Sequence, residues 1–108
     1  MPTHPMHPEL LELIAERFKA LSEPPRLRIL AALREGPRTV TELVDETGLG
    51  QTNVSKHLAV LRGVGLVVRS RSGPFSHYAI GDPRLYALCD LMCDQVRTAA
   101  SARQEVVA

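Results

Sequence analysis

Gly48 and Val54 stand six residues apart, and this spacing constrains the fold of the chain more than any other feature. Glycine lets a backbone turn with positive φ, and an apolar residue six positions on locks a second helix onto the first. On that basis Thr47-Gly48-Leu49-Gly50-Gln51-Thr52-Asn53-Val54-Ser55-Lys56-His57-Leu58-Ala59-Val60-Leu61-Arg62 reads as a helix-turn-helix. The residue four before the glycine, usually small in such motifs, is Val44 here, a mild departure that tighter packing absorbs.

The motif lies inside a stretch, Thr47 to Gly81, that contains no carboxylate. Lys56, Arg62, Arg69 and Arg71 give that stretch a formal charge of +4, while the whole chain carries +1 and the remainder therefore −3. A contiguous segment that excludes negative charge is suited to a polyanion.

Punctuation and periodicity predict the other elements. Leu10, Ile14, Phe18 and Leu21 mark an amphipathic helix from about Glu9 to Leu21. Ser22-Glu23-Pro24-Pro25 breaks it and starts a second helix, with Ser22 as the expected cap and proline in the first turn. Leu27, Leu30 and Leu33 carry that helix to Gly36-Pro37. Thr39 or Thr41 opens a third, with Val40, Leu43 and Val44 inward, and Gly48 ends it. The fourth, about Gln51 to Arg62, turns Val54, Leu58 and Leu61 inward and is closed by Gly63 and Gly65. Leu66–Arg71 and Ser76–Ile80 read as two strands joined through Ser72-Gly73-Pro74-Phe75. Asp82-Pro83 caps a last helix carrying Leu85, Leu88, Met92 and Val96. The expected fold is mainly α with a β-hairpin wing, a winged helix-turn-helix of order α-α-α-α-β-β-α. Residues 1–8 are expected as a flexible tail, 9–100 as one domain and 101–108 as a second tail.

A chain of 108 residues sets a prior of one domain with one modest core. No apolar run approaches the roughly 18–20 residues that span a bilayer. The start, Met-Pro-Thr-His-Pro-Met-His-Pro, does not read as a secretory signal, which points to the cytoplasm and to Cys89 and Cys93 as thiols. Catalysis is not expected. Gly63-Val64-Gly65 lacks the glycine of a phosphate loop, and Ser55 and His57, two apart on a helix, point in different directions.

The candidate DNA-contacting residues are Gln51, Thr52, Asn53, Ser55, Lys56 and His57 on the outward face of the fourth helix. Asn and Gln pair bidentately with adenine, Lys reaches guanine or phosphate, and Ser and Thr serve either. Arg62 and the hairpin residues Arg69, Arg71, Ser72 and His77 would lie on phosphates or enter the minor groove. Taken singly, each is an ordinary solvated residue. Exposed arginines on a hairpin also prevent edge-to-edge aggregation.

Residues Phe18 to Ile80 resemble the ArsR (arsenical-resistance repressor, ArsR/SmtB) family of winged helix-turn-helix regulators. The resemblance rests on Ala20-Leu21-Ser22-Glu23-Pro24-Pro25-Arg26-Leu27-Arg28-Ile29-Leu30, Glu42-Leu43, Val54-Ser55-Lys56-His57-Leu58-Ala59-Val60-Leu61, Gly65-Leu66-Val67 and the hairpin ending in His77-Tyr78. It implies a homodimer joined through its first and last helices that binds an inverted repeat in double-stranded DNA and represses transcription.

The resemblance also implies a search for effector ligands. Where the family's arsenic site has Cys-Val-Cys, this chain has Thr39-Val40-Thr41. Of the family's zinc-type site in the last helix only Asp82 remains, with Arg84, Gln95 and Thr98 in the other places. Cys89 and Cys93, four apart on one helix face, are the remaining candidates. They would take a soft metal(loid) such as arsenite, cadmium, zinc or cuprous copper, with a third ligand from the partner chain or a tail, or they would undergo thiol chemistry. Against that stands simple packing, because buried cysteine behaves as a small apolar residue. Asp90 and Asp94 would further raise the thiol pKa values. Two other readings stay open: an effector-independent regulator of the same fold, and a winged-helix protein-interaction module that does not read DNA.

Overall fold

The computed structural model describes residues 3–107; residues 1, 2 and 108 of the two expected tails lie outside it. The elements are α1 (Pro8–Leu21), α2 (Pro24–Leu33), α3 (Val40–Thr47), α4 (Gln51–Gly63), β1 (Val67–Ser72), β2 (Phe75–Ile80) and α5 (Leu85–Val107). This is the order α-α-α-α-β-β-α that the sequence predicts.

Local chemistry explains most of the boundaries. His7 caps α1, its Nδ1 accepting from the Glu9 N–H at 3.2 Å. Ser22 does not cap α2 as expected. It ends α1 instead, its Oγ donating to the Lys19 carbonyl at 2.7 Å, and Glu23 stands at the N-cap of α2 without a side-chain bond. Two prolines at the start of α2 supply a pre-set φ and need no N–H partner there, so the missing cap costs little. Thr39 and Glu42 form a reciprocal capping box at the start of α3.

Asp82 accepts from the Arg84 N–H at 2.9 Å, and a turn through Pro83 and Arg84 precedes the first residue of α5. That helix then runs to Val107, so helical structure continues into the segment expected as a tail.

The core is one cluster in which Ile29, Leu30 and Leu33 of α2 meet Leu43 of α3, Val54, Leu58 and Leu61 of α4, and Val67 of β1. The strands are antiparallel with Val67 opposite Ile80 and Ser72 opposite Phe75, which leaves Gly73 and Pro74 as the turn. Gly73 has φ +61, and its positive φ followed by the fixed negative φ of proline gives the signs of a type II′ hairpin turn. Arg38 adds a third, one-residue strand. It exchanges both backbone bonds with Tyr78, at 2.9 and 2.8 Å, and so fastens the hairpin to the entrance of α3.

The α5 helix projects from this core. The radius of gyration is 16.4 Å, against about 13 Å for a spherical domain of this length. Leu88, Leu91, Met92 and Val96 on α5 and Leu11, Ile14 and Phe18 on α1 are all exposed. No described helix is long and apolar enough to cross a membrane.

Candidate nucleic-acid interface

Gly48, at φ +74, turns the chain between α3 and α4, and its N–H closes α3 on the Val44 carbonyl at 3.0 Å. Val54, Leu58 and Leu61 are each 1% exposed or less and hold α4 against the core. Gln51, Thr52, Asn53, Ser55, Lys56 and Arg62 consequently face solvent, as expected. The start of α4 carries no side-chain cap and no acidic residue. Its first N–H groups and the positive end of its dipole are therefore unopposed, a configuration that favours a phosphate.

His57 is a correction. Only 8% exposed, it faces inward, and its Nδ1 accepts from Arg26 Nε at 3.2 Å. The reason lies in helix periodicity: position 57 is three after Val54 and four before Leu61, on the stripe that α4 buries. His77 is also less open than expected. It is half-buried opposite Ser70.

Arg69, Arg71 and Ser72 are exposed along β1. Both backbone groups of Tyr78 are used by Arg38, so the Arg69–Tyr78 pair is a non-hydrogen-bonded one whose side chains lie close together. Arg69 and Arg71 share a hairpin face, reaching beyond the core on the side that Val67 buries.

Four arginines outside the acid-free stretch are held in ion pairs, and among the described residues none of the cations inside it is. Arg26, Arg34, Arg38 and Arg84 pair with Glu23, Asp90, Glu46 and Asp82. Lys56, Arg62, Arg69 and Arg71 make no salt bridge among the described residues.

On α5, Cys89 is half-buried and Cys93 exposed, and both are free thiols. They line an apolar groove of about 590 Å³ between α5 and the α1–α2 corner, with Phe18, Leu21, Leu27 and Met92 on its walls. Burial, and next the charge of Asp90, pushes the Cys89 thiol above its ordinary pKa, while Arg34 opposes the shift. Among the described residues no group of three or more His, Cys, Asp or Glu could hold a metal. The Asp82 carboxylate is taken up by Arg84.

Sequence reasoning missed Arg26, Arg34, Arg38 and Tyr86 as structural ties. Arg26 carried a readable signal, since 26, 29, 30 and 33 form one helical stripe and the last three are core residues. The others depend on contacts across 40 residues (Arg38–Tyr78) or 56 residues (Leu30–Tyr86 and Arg34–Asp90) and carried none.

A family model described as bacterial regulatory protein, arsR family, matches residues 23–68. The chain is 39% identical to the HTH-type transcriptional regulator NmtR of Mycobacterium tuberculosis over 82% of its own length and 74% of that protein's. It is also 39% identical to a probable mercury resistance operon repressor of Streptomyces lividans, over 77% of this chain and 62% of that one. Among solved structures, a homodimeric winged helix-turn-helix DNA-binding domain from Mycobacterium bovis superposes with a TM-score of 0.74. That domain is 36% identical, over 81% of this chain and 83% of the other. The match to the family's motif and to a full relative, on a helix-turn-helix whose open face is free of acid, places this chain in the arsR family of bacterial regulatory proteins, as a winged helix-turn-helix DNA-binding regulator and not an enzyme.

Proposed function

We propose that the protein is a homodimeric transcriptional repressor that reads an inverted-repeat operator with α4 in the major groove. The observation that carries this reading is the exclusion of acid: Thr47 to Gly81 holds no carboxylate, and its four cations, all exposed on α4 and β1, make no salt bridge among the described residues. In this reading Gln51, Thr52, Asn53, Ser55 and Lys56 meet base edges and the nearest phosphates. Arg62, Arg69, Arg71 and Ser72 hold the backbone, and His77 plays at most a marginal part. The exposed apolar faces of α1 and α5 meet their counterparts in the second copy, which sets two recognition helices about one turn of DNA apart.

Cys89 and Cys93 are the residues that would hold a soft metal(loid) or react with a thiol-directed species. Their sulfurs stack on one helix face, and further ligands would come from the second chain. A raised Cys89 pKa works against this, because its proton must leave before a metal binds. Passive packing is the competing role for the pair.

Anisotropy titrations of purified protein onto a duplex from upstream of its own gene, against random duplex, test the DNA reading. A salt-dependent preference for the upstream duplex, at two chains per site, is the expected result. Equal binding to both duplexes would sink it. Release by cadmium or arsenite that disappears in Cys89→Ser/Cys93→Ser supports the effector site; release that survives both changes removes it.

A further inference from the structure

We propose that Arg26 and His57 form a buried latch between α2 and α4 that fixes the orientation of the recognition helix, which makes both of them positioning residues for operator reading. The inference rests on the DNA-binding role above but concerns residues that touch no DNA in it.

The contact is built to be directional. Arg26 is 9% exposed and His57 8%, and Nε lies 3.2 Å from Nδ1. The same guanidinium pairs with Glu23 at 2.8 Å and donates to the Ala20 carbonyl at 3.4 Å. One group thus joins the end of α1, the start of α2 and the middle of α4. Because Nδ1 accepts from a guanidinium that cannot give up its proton, the neutral imidazole must carry its own proton on Nε2.

The rest of the α2–α4 contact is aliphatic: Ile29, Leu30 and Leu33 against Val54, Leu58 and Leu61. Such burial is strong but non-directional, and it resists rotation of α4 about its axis only through shape. A hydrogen bond from a guanidinium fixed at two further points adds the missing angular restraint. The need is functional, because His57 directly follows Ser55 and Lys56, and a small rotation of α4 would move those side chains off their base edges. For stability alone an aliphatic pair would serve as well, since buried charged groups are often replaceable without loss.

The substitutions separate positioning from folding. His57→Asn places an acceptor at the δ position, two bonds from Cβ like Nδ1. His57→Gln moves it one bond farther. Arg26→Lys keeps the charge but has no nitrogen at the Nε position. We expect His57→Gln and Arg26→Lys to reduce the ratio of upstream-duplex to random-duplex affinity about tenfold or more, with random-duplex affinity unchanged. His57→Asn should recover most of that ratio, although asparagine is the poorer helix former. Ratios equal to wild type in all three, or an Asn variant no better than the Gln variant, would overturn the proposal. A second measurement needs no variant and no DNA: ¹⁵N chemical shifts of His57 in the intact protein should show an unprotonated Nδ1 and a protonated Nε2. The opposite tautomer overturns the latch even if DNA binding is as proposed, whereas absence of any upstream-duplex preference in wild type with the expected tautomer overturns the operator reading alone.

Discussion

Arg34 closes a bidentate ion pair on Asp90, Nη1 to Oδ1 at 2.8 Å and Nη2 to Oδ2 at 2.7 Å, and so joins the C-cap of α2 to the second turn of α5. The same guanidinium lies 4.8 Å from the centroid of the Tyr86 ring, whose hydroxyl donates to the Leu30 carbonyl at 2.6 Å. These contacts attach a helix whose apolar face is otherwise left for a partner. Their energetic weights differ. Arg34 and Asp90 are solvent-exposed, so Asp90→Asn should barely change stability. Tyr86 is 8% exposed, and Tyr86→Phe should cost about 1 kcal/mol. Urea unfolding at one fixed protein concentration checks the ranking, since dimer stability varies with concentration. The reverse order would mean that the ion pair, not the buried hydroxyl, anchors α5.

The capping box at α3 makes a second expectation. Thr39→Ala should destabilise the protein by about 1 kcal/mol and Thr39→Ser much less. The Thr39 backbone N–H, and then its side chain, holds the Glu42 carboxyl below the ordinary range. The Arg84 and Arg34 side chains also lower Asp82 and Asp90, but these exposed, solvent-screened pairs add little to stability. A folded-state pKa below the unfolded one gives stabilisation that is present at neutral pH and lost as pH falls through the lowered values. Stability should therefore hold from pH 7 down to about 5 and decline below about 4. A denaturation series across that window shows whether it does.

Two glycines should respond for different reasons. A Cβ on Gly81 would lie 2.7 Å from the Gly65 carbonyl oxygen, a backbone atom with no flexible end to move aside. Gly81→Ala should cost about 1–3 kcal/mol by overpacking the base of the hairpin. Gly48 has open space around it but φ +74, so Gly48→Ala should cost about 1–2 kcal/mol and Gly48→Asn less, since asparagine tolerates that conformation. Thermal unfolding of the three variants separates the effects: Gly48→Asn as damaging as Gly48→Ala would point to sterics rather than φ.

The architecture was legible because most boundaries carried local chemistry: the double proline of α2, the Thr39–Glu42 box, Gly48, and Gly73-Pro74. The open face of α4 was legible for the same reason, since Val54, Leu58 and Leu61 declare which side is buried. His57 is misread when its polarity is weighed above its position on that stripe. Its partner Arg26 is 31 residues away, and a polar residue on a core face can be read correctly only once the group that satisfies it is known. The Arg34–Asp90 pair and the Arg38–Tyr78 bridge were invisible because they depend on how helices and strands meet in space. The helix α5 runs past residue 100 because Ala99-Ala100-Ser101-Ala102 holds no helix breaker and alanine is the strongest helix former, a signal that the spacing of large apolar residues does not carry.

Cys89 offers a chemical check on the groove. With its thiol pushed up by burial and by Asp90, its alkylation by iodoacetamide should be slow at neutral pH and still accelerating at pH 9, where an ordinary thiol approaches saturation. Mass spectrometry resolves the site. A Cys89 rate that levels off near pH 8 would mean that it carries thiolate at neutral pH after all.

The central claim is that the acid-free stretch is the DNA face, and the salt dependence of operator affinity tests it most directly. Each phosphate neutralised contributes about −0.9 to the slope of log affinity against log salt. Replacing Lys56, Arg62, Arg69 and Arg71 by alanine together should flatten that slope by about 0.9 for every phosphate the dimer no longer neutralises. Arg17→Ala, outside the stretch, should leave the slope unchanged. A fourfold variant whose slope matches wild type would contradict the account.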